Sequence, residues 1–120
     1  MGARTSGRQA AVQMLFGLDA SAADPEQAIE GFWREMAGDA EGRDYADACV
    51  RGVAAERDEL DRVVAAASVN WRIERMTRVD RNVLRLGAWE LLRRTDVPRA
   101  VVIDEAVELA KRYGSDESGA

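Results

Sequence analysis

Nucleophilic and acid–base catalysis need particular side chains, and this sequence supplies few of them. It has no histidine and one cysteine, Cys49. Ser-His-Asp and Cys-His arrangements are therefore excluded, as are histidine-based metal sites, and a lone thiol makes no zinc site. Neither a GxGxxG fingerprint nor a Walker-type phosphate loop occurs. Carboxylates remain. Asp58-Glu59-Asp61 and Asp104-Glu105-Glu108 are acidic clusters, but on helices they mix outward positions and nothing forces a desolvated pair, so they read as solvated faces. Catalysis is the weakest class of explanation.

Charge offers a different chemistry. The net charge is −5, which as a single number opposes binding to nucleic acid. Its distribution is uneven: +2 over residues 1–18, −8 over 19–70, +4 over 71–99 and −3 over 100–120. Basic segments flanking an acidic middle can attract phosphate locally even on an acidic protein. Solvated helix faces are the plainer account of the same charges.

The elements that position these groups are helices. The chain has 120 residues, 47% of them hydrophobic and 32% charged, enough for one domain with a real core. Apolar spacing is helical almost throughout, and no alternating Val/Ile/Thr-rich strand pattern occurs. Ala11, Val12, Leu15, Phe16 and Leu18 make an amphipathic helix of about residues 5–20. Asp24-Pro25-Glu26-Gln27 is a capped helix start, with Ile29, Phe32, Trp33 and Met36 on one face and a left-handed Gly38 as its expected stop. After a loop over 38–43, Tyr45, Ala46, Cys49, Val50 and Val53 form a third helix, in which Cys49 reads as a small buried hydrophobe. Leu60, Val63, Val64 and Ala67 form a fourth, and residues 68–71 mark a break.

Thr77 with Asp80 starts a fifth helix. Its apolar residues surround most of its circumference, which predicts a place at the centre of a bundle. Val97-Pro98 starts a sixth, with Val102, Ala106, Leu109 and Tyr113 aligned, Lys111 and Arg112 in the last turn, and Gly114 as its cap. One cysteine suits a reducing compartment, and no run approaches the ~20 apolar residues of a membrane span. A cytoplasmic protein without cofactor or metal is expected.

Three stretches carry a family resemblance: Arg8-Gln-Ala-Ala-Val-Gln-Met-Leu-Phe16, Trp71-Arg-Ile-Glu-Arg-Met-Thr-Arg-Val-Asp80-Arg-Asn-Val-Leu-Arg85, and Asp96-Val-Pro-Arg-Ala-Val-Val-Ile-Asp-Glu105-Ala-Val-Glu-Leu-Ala-Lys111. Their order and spacing resemble the bacterial transcription antitermination protein NusB family along nearly the whole chain. The resemblance implies an all-α helical bundle of two small subdomains, about residues 1–70 and 71–120, with some six helices and the family's last helix missing after Ser118. It implies a non-catalytic role: binding boxA-type RNA jointly with the ribosomal protein that acts as NusE, within a transcription elongation complex in rRNA transcription.

By the same matching, Arg4, Arg8, Gln13 and Arg75 are RNA contacts, while Phe16, Asp80 and Arg81 lie at the protein interface. Thr5 and Ser6 stand where the family often has further arginines. A missing last helix would leave the fifth and sixth helices partly uncovered and favour a homodimer. Two other readings stay open: the N-terminal module of an rRNA cytosine methyltransferase, and a helical adaptor that binds only protein.

Overall fold

The computed structural model describes residues 2–21, 23–67, 72 and 75–114. It contains six α-helices: α1 (Ala3–Asp19), α2 (Pro25–Glu35), α3 (Ala40–Ala55), α4 (Arg57–Ala67), α5 (Arg78–Arg93) and α6 (Arg99–Tyr113). No strand occurs among the described residues, so the expected all-α class is what forms. The chain divides into two compact units, Met1–Ala55 and Glu56–Ala120. The family resemblance implies a division at about residue 70. The boundary falls earlier because α4 packs on α5: Leu60 and Val64 are buried and Asp61 is paired with Arg85. The break expected over 68–71 lies outside the described residues.

In the first unit α1 packs chiefly on α3. The close approach needs Gly7, where an added Cβ would lie 2.8 Å from the Gly42 carbonyl oxygen and 3.3 Å from the Ala46 nitrogen. Ala11, Val12, Met14 and Leu15 of α1 are buried, as are Ile29 of α2 and Tyr45, Ala46, Cys49, Val50 and Val53 of α3. Cys49 is fully enclosed, as the apolar stripe required.

Asp24 caps α2 by accepting from the backbone N–H groups of Glu26 (2.8 Å) and Gln27 (3.2 Å), and the Gln27 side chain returns a bond to the Asp24 nitrogen. The expected capping box is present. The expected stop is not. The helix ends at Met36, whose φ of −115° and ψ of 145° send the chain out extended, and no described glycine has positive φ. No left-handed residue is needed once the exit is extended. Gly38 serves packing instead, since a Cβ there would lie 2.8 Å from Trp33 Cζ3. The loop is also shorter than expected, because Asp39 Oδ1 accepts from the Gly42 N–H at 2.7 Å and opens α3 at Ala40.

Two further contacts join α2 to α3, and a third packs Phe32 on the Trp33 ring. Trp33 Nε1 donates to Asp47 Oδ1 at 2.7 Å, the Arg43 guanidinium lies 5.0 Å from the Trp33 ring centroid, and Phe32 meets that ring edge-on at 4.9 Å.

In the second unit Thr77 Oγ1 accepts from the Asp80 N–H at 3.1 Å and starts α5 as expected. Arg85, almost wholly buried, donates from Nε and Nη2 to the two Asp61 oxygens at 2.6 and 2.9 Å, and from Nη1 to Asn82 Oδ1 at 3.2 Å. Asn82 in turn donates to the Arg78 carbonyl at 2.8 Å. Gly114 closes α6 with φ −107°, again without left-handed backbone.

Each unit also has an exposed ion pair, Arg51–Glu26 in the first and Arg93–Glu56 in the second. Hydrogen bonds from the arginines hold both carboxyls below the usual carboxylate range. Because the folded pKa is the lower one, the stabilisation is present above the ordinary value and is lost as pH falls through the lowered value. Exposure keeps it small.

The expectation that α5 is enclosed all round holds for one side only. Val79, Val83 and Leu86 are buried, but Leu84, Leu91 and Leu92 face solvent, as do Ile103 (53% exposed) and Val107 of α6. With Val63 and Ala67 of α4 they line an apolar depression of about 480 Å³. Exposed apolar surface of this kind drives association. We therefore expect the protein to enhance the fluorescence of a hydrophobic dye and to sediment faster as concentration rises. Leu84→Asp with Ile103→Asp should suppress both; a strictly monomeric, dye-silent wild type would refute this.

Candidate nucleic-acid interface

Seven residues were expected to make contacts, and the two units hold different subsets of them. In the first unit, Arg4 and Arg8 stand one helical turn apart on α1 and converge on the same ring. Their guanidinium carbons lie 4.9 and 5.3 Å from the Tyr45 centroid. Their environments differ. Arg4 is half-buried, whereas Arg8 is 2% exposed and has its cation within the α1–α3 packing. As placed, Arg8 offers solvent almost nothing, which departs from the expectation that both arginines reach outward.

Gln13 is exposed and donates to the Gln9 carbonyl at 3.3 Å. Phe16 is half-buried, one turn beyond it on α1. In the second unit, exposed Arg75 lies ahead of α5, its backbone N–H donating to the Arg72 carbonyl at 2.9 Å. Asp80 and Arg81 are half-buried neighbours in the first turn of α5, where an acid favours the helix dipole.

Tyr45 is the residue that sequence reading missed, having taken it only as core. Arginines spaced i, i+4 on an amphipathic helix were the available signal, since a buried guanidinium needs an aromatic or acidic partner. Arg85 was missed in the same way, because its partner Asp61 lies in the acidic cluster read as a solvated face. Among the described residues no cluster of His, Cys, Asp and Glu is arranged to hold a metal ion. Nor is any helix long and apolar enough to cross a membrane.

Residues 5–120 match the NusB family model. The transcription antitermination protein NusB of Sorangium cellulosum (strain So ce56) is 62% identical over 120 residues, covering all of this chain and 86% of the relative. That of Myxococcus xanthus (strain DK1622) is 46% identical over 125 residues, covering all of this chain and 89% of the relative. Among solved structures, T. maritima NusB superposes with a TM-score of 0.84 at 35% identity, over 97% of this chain and 82% of that one. A chain in the crystal structure of a plectonemic RNA supercoil gives 0.88 at 26% identity, over 99% and 87%. Sequence and fold thus agree from α1 to α6, and this chain belongs to the NusB family of transcription antitermination proteins and is not an enzyme.

Proposed function

We propose that this chain works in the cytoplasm as an antitermination factor that binds boxA-type RNA jointly with the ribosomal protein acting as NusE, within the elongation complex of rRNA transcription. The observation that supports it most is the 0.88 TM-score to a chain solved with an RNA supercoil. In this reading Arg4 and Arg75 contact phosphates, Gln13 adds a polar contact, and buried Arg8 adds positive potential from beneath while fixing α1 on Tyr45. Phe16, Asp80 and Arg81 face the ribosomal protein.

Electrostatics sets the magnitude. A net charge of −5 opposes long-range attraction, so only local basic groups recruit RNA. Two or three neutralised phosphates give a single-strand log–log salt slope of only about −1.4 to −2.1. Affinity for RNA alone is accordingly weak. A partner that binds at the same time strengthens it by coupling, typically about 5–150-fold, and RNA must strengthen partner binding equally.

Titration of a boxA-like RNA by anisotropy, at several salt concentrations and with and without the ribosomal protein, tests this. Arg4→Ala with Arg75→Ala should weaken binding and flatten the slope while leaving helical content unchanged, as alanine is a good helix former. An unchanged slope would remove these arginines from the site. Partner binding that ignores RNA altogether would favour the adaptor reading.

A further inference from the structure

We propose that the cavity between α1 and the α2–α3 corner is a nucleobase subsite, in which one unstacked base of a single-stranded RNA lies against the Trp33–Arg43 stack. The proposal rests on the RNA-binding reading above and assigns it a place.

The cavity holds about 180 Å³, some six water volumes at ~30 Å³ each, the scale of one flat ring system. Its walls suit a base. Trp33 is fixed in advance, held at Nε1 by Asp47, with room at its ring edge for a glycine at position 38 but not for a Cβ. Arg43 is exposed and lies over the indole. A guanidinium stacked on an aromatic ring is a planar cationic platform of the kind on which splayed-out bases settle. Phe32 and Met36 supply apolar walls, and Met36 is 47% exposed, a large soft side chain at the edge of a cavity. Gln9 and Gln13 line the α1 side. Their amides carry both donors and acceptors and can match the edge of a base. Gln13 also belongs to the expected RNA set, so the cavity continues the surface already assigned to RNA.

Charge decides how the ligand enters. Asp39 lines the cavity and accepts from the Gly42 N–H in the first turn of α3. Its carboxylate repels phosphate, so the sugar-phosphate chain stays outside and the ring enters first. The contact is therefore stacking with little counterion release, unlike the Arg4 and Arg75 contacts.

The test uses the full chain with its ribosomal partner and a short boxA-like RNA in which an abasic site is moved along the strand. With Trp71→Phe and Trp89→Phe in place, RNA should quench the emission of Trp33. Trp33→Ala or Arg43→Ala should lower affinity roughly ten-fold, the effect of losing one stacked base, with the salt slope unchanged for Trp33→Ala. One abasic position should weaken the wild type by the same factor and have no further effect on either variant. Arg43 is exposed, so Arg43→Ala keeps the test decisive if Trp33→Ala does not fold. Variants that bind RNA fully, with no abasic position coupled to them, overturn the subsite and leave the RNA function intact. Variants that lose the ribosomal protein but not RNA also overturn it, showing a pocket for a protein side chain. Wild-type protein that binds no RNA under any condition sinks the function itself.

Discussion

Asp61→Ala is expected to destabilise the second unit by about 3–5 kcal/mol, the cost of removing one partner of a buried ion pair. The reasoning turns on which partner is left behind. Arg85 is 4% exposed at its side chain and Asp61 25%. Removing Asp61 takes both carboxylate bonds from a guanidinium that water scarcely reaches, while the Asn82 bond stays. Removing the cation strands a carboxylate that water reaches. Arg85→Met keeps most of the stem's volume and takes away the charge, so it should cost only about 1 kcal/mol, close to one net hydrogen bond. Urea unfolding followed by the emission of Trp89, buried on α5, in a Trp33→Phe, Trp71→Phe background measures both. Equal costs for the two variants would mean that the pair is solvated and that its buried geometry does not govern stability.

Gly7→Val should destabilise the first unit by about 3 kcal/mol, the upper part of the usual overpacking range. Two effects compete at this position. A glycine inside a helix costs up to about 1 kcal/mol relative to alanine, so any substitution recovers some helix propensity. Against that gain stands a Cβ 2.8 Å from a backbone oxygen and 3.3 Å from a backbone nitrogen, neither of which moves without displacing α3. The clash prevails even for Gly7→Ala, and valine adds branches while recovering less propensity. Gly17 on the same helix is the control: a Cβ there meets nothing within 4 Å, so Gly17→Ala should stabilise by up to about 1 kcal/mol. Thermal melts of the three variants settle the matter. A Gly7→Ala protein that gains as much as Gly17→Ala would show that the helices do not approach closely.

What could be read in advance was local. The start of α2 is written in four consecutive residues, and Thr77 with Asp80 announces α5 equally well, since a cap and its N–H partner lie within one turn. Where α2 stops was not legible, because the chain leaves Met36 extended and Gly38 is fixed by contact with Trp33 rather than by helix geometry. The unit boundary was misplaced for a related reason: α4 is assigned by what it packs on, and Asp61 meets its partner 24 residues later. The candidate site divides along the same line. Arg4 and Arg8 look alike in sequence, one turn apart, and both meet Tyr45; only their burial in the folded unit tells the half-buried arginine from the enclosed one. Residues 73 and 74, within the stretch that carried much of the resemblance, lie outside the described residues.

The order of packing has a consequence for how the protein is made. In the second unit, successive helices lie against one another, α4 on α5 and α5 on α6, so only short loops must close. The first unit is different, because α1 finds its main partner in α3 and must wait across the whole of α2. On a growing chain α1 is synthesised before α2 and α3 and has no seat for Gly7 until Gly42 and Ala46 have followed. Arg4 and Arg8 meet Tyr45 at that same moment. The basic surface is thus assembled by a segment born some distance downstream, and a nascent chain shorter than α3 carries the arginines without their platform.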